Sequence, residues 1–386
     1  MRIALLSGEY PPQPGGVGDY TACLAAALHA RGHSVSVLTI QQGRLCCYQA
    51  AAPSGPAPAV ALSGSPRSLD WSHRAWPAVI AALDCLRPHW LHIQYQTGAY
   101  AMQPGINLLP WRLRALPGRP RLAVTFHDLL VPYLFPRAGP LRRWVNARLA
   151  RDADALVVTN EADAARLQQL SPRLIPIASN IPVSPPADFA RDAWRVRLGA
   201  APGELLVAYF GLLAPNKGVD LLLAALADLA LPWRLVIVGG DATAPQDVAH
   251  ATAIRVLAAQ LGLTERIVAT GHLAPAEVSA CLLAADLAVL PFRDGASFRR
   301  GSLLAALAHG CPVVTTTPVD GATLTALQPA AVLVPPGDAP ALARALATLG
   351  ADGGARARYA AAGRALAERF TWTAIAAQHE QCYLEG

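Results

Sequence analysis

The chain has 386 residues, 53% of them hydrophobic and 15% charged. At about 150 residues per domain this length implies two to three domains, and the composition excludes a disordered chain, a collagen, a coiled coil and a disulfide knot. Lysine and arginine number 32 against 26 acidic residues, for a net charge of +6, and all but one of the 32 are arginine, leaving Lys217 as the lone lysine.

The run 3–7 ends at Gly8, Glu9 and Pro11-Pro12, too soon for the apolar core of a signal peptide, and reads as a first β-strand. Further strands are predicted over 35–40, 90–94, 122–126, 155–158 and 174–177, with helices over 17–30, 76–86, 108–115, 141–151 and 161–169. Short Val/Ile/Leu runs alternating with Ala/Leu/Arg segments of helical period indicate a parallel sheet wound on both faces. Prolines at 182–186 break the rhythm, which restarts with strands over 205–210, 234–238, 267–269, 287–290, 313–315 and 331–334. Helices are predicted over 219–229, 248–261, 276–284, 302–308 and 340–349, and 355–384 reads as closing helices. The expected organisation is a Rossmann-like domain over 1–182, a linker over 183–203, a second Rossmann-like domain over 204–365 and a C-terminal helix over 366–386. Asp228, Arg234 and Asp286 interrupt the longest apolar stretches, so none offers roughly 18 uncharged residues to span a bilayer. Cys23, Cys46, Cys47, Cys85, Cys281, Cys311 and Cys382 are odd in number, show no paired CxxC spacing and sit mostly in apolar runs. Buried thiols in a reducing, cytoplasmic compartment follow, with no zinc site.

Ligands approach such sheets at the carboxyl ends of the strands, so the loops there carry the candidate chemistry. After the first strand, Gly15-Gly16-Val17-Gly18-Asp19-Tyr20 opens a helix. Its glycines allow a diphosphate to approach the helix N-terminus, although a plain tight turn would need them equally. It departs from GxGxxG, and no acidic residue closes the strand over 35–40 to grip a ribose, which argues against a nicotinamide enzyme. His127 and Asp128 end the strand over 122–126, while His92, Gln94 and Gln96 form a weaker polar cluster. A histidine there serves either as a structural hydrogen-bonding group or as a catalytic one. In the second half, Gly211 follows a strand and Lys217 stands at a helix start, where an ammonium suits nucleotide phosphates, although an isolated lysine is usually solvated surface. Asp294-Gly295-Ala296-Ser297-Phe298-Arg299-Arg300-Gly301-Ser302 again joins strand to helix. Its arginines and the nest around Ser297, Gly301 and Ser302 suit an anion, and a solvated basic turn is the alternative.

In their order and spacing, GGVGDY, FHD, GLLAPNKGVDLLLAAL, LVIVGG, GHLAPAEV and AALAHGCPVVTT resemble the retaining GT-B glycosyltransferases of glycosyltransferase family four, across nearly the whole chain. The resemblance implies an α/β fold of two facing Rossmann-like domains, the first for the acceptor and the second for a nucleotide-diphosphate-sugar, with a C-terminal helix crossing back to the first. It implies sugar transfer to an acceptor hydroxyl with retention and without a metal, in polysaccharide, glycolipid or glycoconjugate synthesis. Gly15 and Gly16 would face the diphosphate, His127 the donor sugar, and Lys217 the leaving phosphate; Gly211, Leu273, Ser297, Arg299, Arg300, Gly301 and Ser302 would complete the donor site. No cofactor is expected beyond the donor itself.

The sequence departs from that pattern at the usual donor-site arginine, here Leu212, and at the two usual glutamates, here Ser297 and Ala305. Arg299 or Arg300 is expected to replace the missing arginine. A nucleotide-sugar epimerase of the same fold and a catalytically silent nucleotide-sugar-binding protein are the alternatives. On the first domain, Arg112–Arg151 holds nine arginines, one acid (Asp128) and the aromatics Trp111, Tyr133, Phe135 and Trp144 nearby, a belt suited to an anionic membrane carrying a lipid-linked acceptor or simply solvated. Peripheral association with the inner face of the plasma membrane would follow from the first option. No recognition motif accompanies the charge, so nucleic acid is not an expected partner.

Overall fold

A computed structural model describes residues 1–13, 15–50, 60–61, 68–130, 139–240 and 245–386. Among these, the chain divides into two compact units, Met1–Ala178 with Trp372–Gly386, and Ser179–Thr371.

The first unit is built on β1 (Arg2–Ser7), β2 (Ser34–Gln41), β3 (Arg44–Gln49), β4 (Val60–Ala61), β5 (Trp90–Tyr95), β6 (Arg121–Phe126), β7 (Ala155–Val158) and β8 (Arg173–Leu174), in the order β4-β3-β2-β1-β5-β6-β7-β8. β1, β2 and β5 to β8 are parallel, whereas β3 pairs antiparallel with β2 and with β4. Successive residues of β1 enter different cores: Ile3 and Leu5 join one cluster, Ala4 and Leu6 another. This is the period-two alternation of a sheet covered on both faces.

The second unit is a parallel sheet of β9 (Leu205–Phe210), β10 (Trp233–Val238), β11 (Ile267–Gly271), β12 (Leu287–Leu290), β13 (Val313–Thr316) and β14 (Ala331–Val334), ordered β11-β10-β9-β12-β13-β14. The chain first adds β10 on one side of β9 and later adds β12 on the other. The strand order therefore reverses between β9 and β12, where an open α/β sheet binds ligands.

The doubly wound fold is as expected; several boundaries need correction. The hairpin β2–β3 was not predicted: Gln42 and Gly43 turn it with φ of 50° and 72°, and Gln42 is an unusual residue for a turn of that hand. The strand expected over 174–177 is the two-residue β8, and the helix Gly321–Leu327, whose N-terminus Asp320 caps, was not anticipated. The first unit ends at Ala178 rather than 182, the returning segment begins at Trp372 rather than 366, and 183–203 belongs to the second unit rather than forming a free linker. The physical reason is the helix Arg191–Arg197, which buries Trp194 in the second core. Its Arg191 and Arg195 each donate to Asp286 at 2.7 Å, and Asp286 also accepts the Leu206 N–H at 2.8 Å. Burial raises the Asp286 pKa, but that backbone N–H and the two guanidinium groups outweigh it and hold the carboxyl below its usual range.

The helix Trp372–Glu385 lies against one face of the first sheet and buries Ile375, Ala376, His379, Cys382 and Tyr383, an apolar stripe at helical spacing. Among the described residues no helix is long and apolar enough to cross a membrane; all seven cysteines are free thiols, but they are not all buried as expected, since Cys23 and Cys46 are half-buried and Cys85, near the end of its helix, is exposed.

Candidate functional site

In the second unit, the loops after β9 and β12 meet at the strand-order reversal. Gly218 ends the turn Pro215–Lys217 with φ 68°, and a Cβ there would stand 2.1 Å from the Pro291 carbonyl oxygen, so only glycine lets the two loops close. The Arg293 N–H donates to the Asn216 carbonyl at 3.0 Å, and the Arg293 guanidinium pairs with Asp220. This clasp sets Lys217 beside Arg300. The Lys217 ammonium lies 5.3 Å from the centre of the Phe292 ring and the Arg300 guanidinium 4.9 Å from it, so one buried ring carries two cations.

Burial and then the Arg300 charge push the Lys217 pKa down to about 8, against the pull of Asp294. Arg300 is paired with Asp294, whereas no carboxylate pairs with Lys217 among the described residues. Two adjacent cations against one carboxylate leave a net positive site that a diphosphate would neutralise.

Arg300 is also the N-cap of the helix Gly301–Ala308, and no side chain caps that helix. The Gly301 and Ser302 N–H groups have no acceptor among the described residues, so two donors and the helix dipole add to the cations. Ser297 orders the approach: its hydroxyl accepts the Arg299 N–H at 3.3 Å and its carbonyl the Arg300 N–H at 3.0 Å. The structure separates the two arginines, since Arg300 is half-buried beside Lys217 while Arg299 is exposed. The Gly211 N–H donates to Val238 at 3.1 Å and is not free for a phosphate. Leu273 packs partly on the core in the loop after β11. Leu212 is 50% exposed, and Ala305 is fully buried inside its helix, where its methyl group contributes packing only.

In the first unit, the helix Gly16–Ala30 follows β1 and carries no conventional cap at Gly15. Glu9 takes that role: its Oε1 accepts the N–H groups of Val17 at 2.9 Å and Gly18 at 3.2 Å. A Cβ on Gly15 would meet the same carboxyl at 2.1–2.3 Å. The Gly15 and Gly16 N–H groups have no acceptor among the described residues, and open space lies where a Cβ on Gly16 would stand. Sequence reading missed Glu9; the signal was a helix start with no Ser, Thr, Asp or Asn to satisfy its first N–H groups.

His127 follows β6, hydrogen-bonds through Nε2 with the Gln94 side-chain Oε1 at 3.1 Å and meets the Tyr20 ring edge-on at 4.6 Å. Behind it lies a buried polar chain that the sequence did not reveal. The Tyr20 hydroxyl hydrogen-bonds with His379 Nε2 at 3.0 Å, the Tyr383 hydroxyl with His92 Nδ1 at 2.6 Å, and Thr125 Oγ1 with His92 Nε2 at 2.7 Å. Burial, and secondarily His127, pushes the His379 pKa down to about 3; burial likewise holds His92 well below the usual histidine range. His92 is thus a neutral core group within β5, not a residue at a strand mouth. Gln94 is fully buried as well, and its Nε2 has no acceptor among the described residues.

The arginine belt is less charged than its count suggests. Arg114 and Arg148 pair with Asp152 at 3.0 and 2.8 Å, and Arg119 pairs with Asp154 at 2.6 Å; both acids lie just past the counted segment. Trp111 and Trp144 are 57% and 50% exposed. Tyr133, Phe135, Arg137 and the Arg142 side chain lie outside the described residues.

Residues 15–179 match the family described as Glycosyl transferase 4-like domain and 204–352 the one described as Glycosyl transferases group 1. A D-inositol 3-phosphate glycosyltransferase of Xylanimonas cellulosilytica is 32% identical over 62% of this chain, which spans about half of that relative (56%). A phosphatidyl-myo-inositol mannosyltransferase of Mycobacterium leprae is 28% identical over 99% of this chain and 96% of its own length. Among solved structures, a sucrose-phosphate synthase from Thermosynechococcus elongatus superposes with a TM-score of 0.74 at 24% identity, covering 100% of this chain and 98% of that one. Anabaena Alr3699/HepE in complex with UDP gives 0.71 at 20% identity, with both chains covered in full. Two matched family regions that together span most of the chain, on two Rossmann-like units, place this protein in the GT-B glycosyltransferases of family four.

Proposed function

We propose that the protein transfers a sugar from a nucleotide-diphosphate-sugar to an acceptor hydroxyl with retention of configuration. The observation that carries this reading is the pair Lys217 and Arg300 against the Phe292 ring, with the N–H groups of Gly301 and Ser302 opening the helix that follows. As the bond from the anomeric carbon to the leaving oxygen breaks, negative charge grows on the diphosphate and positive charge on the sugar. Preorganised cations and N–H dipoles stabilise the departing group without solvent reorganisation. Arg300 fills the role of the arginine absent at Leu212. Gly16 and His127 are assigned to the donor diphosphate and the donor sugar by the family resemblance, and the leaving diphosphate assists deprotonation of the acceptor. Charge relief is assigned to these side chains rather than to a metal.

The relatives named for inositol phosphate and phosphatidylinositol support an anionic, polyhydroxylated or lipid-linked acceptor, which the first unit's arginines would suit. Exposed Trp111 and Trp144 beside Arg112 and Arg143 support a peripheral, inner-leaflet location. A thermal-shift panel of nucleotide-sugars followed by product analysis tests the reading: one donor should raise the melting temperature, release nucleoside diphosphate and add sugar mass to an acceptor. Donor binding without release would identify a silent binding protein. Co-sedimentation with anionic but not neutral liposomes tests the location.

A further inference from the structure

The first unit contains a cavity of about 960 Å³ at the end of its sheet opposite His127 and Gly16. Arg2, which opens β1, His89, which precedes β5, and Pro120, which precedes β6, contribute to its wall. It therefore sits at the amino ends of three neighbouring strands, whereas the loops assigned to the donor follow carboxyl ends. The helices Trp76–Leu86 and Gly105–Arg114 supply its sides. Its volume suits a drug-sized ligand.

The wall has two chemistries. Trp76, Ile80, Leu83, Leu113 and Leu116 make it apolar, and the Trp76 indole is held in place by donating to the Gly105 carbonyl at 3.0 Å. The polar groups are almost all donors. Arg119 spends its charge on Asp154 through two contacts at 2.6 and 3.0 Å, but Arg87 and Arg112 have no carboxylate partner among the described residues. Asp84 is the one acid in the wall.

The local backbone holds this set together. Arg87 ends its helix in the left-handed region (φ 43°, ψ 55°), and its carbonyl accepts from Arg2 Nε at 2.8 Å. The Arg2 N–H donates to His89 Nδ1 at 2.9 Å, which leaves His89 Nε2–H as a further donor. A bare anion would leave the apolar wall wet, and a neutral hydrocarbon would leave the cations without a partner.

We propose that this cavity binds an anionic amphiphile, its phosphate or carboxylate head on Arg87, Arg112 and His89 and its hydrocarbon body along Trp76, Ile80 and Leu116. Calorimetric titration of the full chain, without donor or vesicles, tests it with three probes: monomeric dodecyl phosphate, dodecyl maltoside and inorganic phosphate. Dodecyl phosphate should bind saturably with one molecule per chain, about ten-fold or more tighter than either of the others. Arg87→Gln and Arg112→Gln should each weaken it about ten-fold. Ala81→Trp, at an exposed residue of the wall, should block binding without touching a charge. Melting temperatures close to wild type would show that the variants are folded. Equal affinity for the maltoside, tight binding of phosphate alone, or undiminished binding by folded variants would overturn the proposal. Because the readout needs no sugar transfer, its failure is distinct from failure of the glycosyltransferase reading.

Discussion

Lys217 shows how much a residue's meaning depends on its neighbours. In a chain whose other basic residues are all arginine it is a compositional oddity, but over Phe292 and beside Arg300 it is a desolvated cation that gains most when a dianion arrives. Lys217→Ala should lower transfer about a hundred-fold with little change in melting temperature, as measured by nucleoside diphosphate release and thermal unfolding. Arg300→Ala should weaken donor binding about ten-fold and Arg299→Ala far less, since Arg299 is exposed. Equal effects of the two would dissolve the assignment of Arg300. The Lys217 pKa of about 8 sets a pH dependence. Below it the ammonium is charged and should bind a diphosphate; as pH rises through it, nucleoside-diphosphate affinity should fall. Lys217→Arg keeps the charge and should flatten that decline in a titration series from pH 7 to about 9.

Among the elements, the helix Trp372–Glu385 is held by polar chemistry as much as by its apolar stripe. His379 is neutral and fully buried, with its pKa near 3 against an ordinary value of 6.5. Above about pH 6.5 it adds no proton-linked cost. As pH falls below that value the unfolded chain takes up a proton the folded one refuses, costing about 1.4 kcal/mol per unit until the folded pKa is reached. Urea titrations at pH 7 and 5 should show this loss, and His379→Gln should shrink it. Tyr383→Phe should destabilise the unit by about 1–3 kcal/mol, because it leaves His92 Nδ1 buried without its hydrogen-bond partner. Neither histidine was legible as a core residue from sequence, because its partners stand 359 and 291 positions away. Glu9 was equally hidden, eight residues before the Val17 N–H it caps.

For the whole molecule, the two units carry separate hydrophobic cores, and the last fifteen residues belong to the first. Truncation after Thr371 should therefore lower the stability of the first unit while amides of β9 to β14 keep their protection, as hydrogen exchange would read. Protection lost equally from both sheets would show that the units unfold as one.

The doubly wound architecture was legible because parallel strands buried on both faces must be continuous apolar runs, and the helices between them must carry apolar residues at helical period. The family was legible because the loops at strand ends keep their residues in order. The unit boundaries were less so: a proline-rich passage signals a break in the pattern, but the helix Arg191–Arg197 belongs to the second core through contacts with Asp286 that no local pattern announces. The same holds for the site. Sequence placed Lys217, Arg299 and Arg300 in candidate loops, and only tertiary structure set Arg300 rather than Arg299 beside Lys217, supplied Phe292 against the cations, engaged the Gly211 N–H and put Glu9 on the first helix. Periodicity is written along the chain, whereas the field at an ammonium and the partner of a buried imidazole are set by groups that meet only when the sheets close.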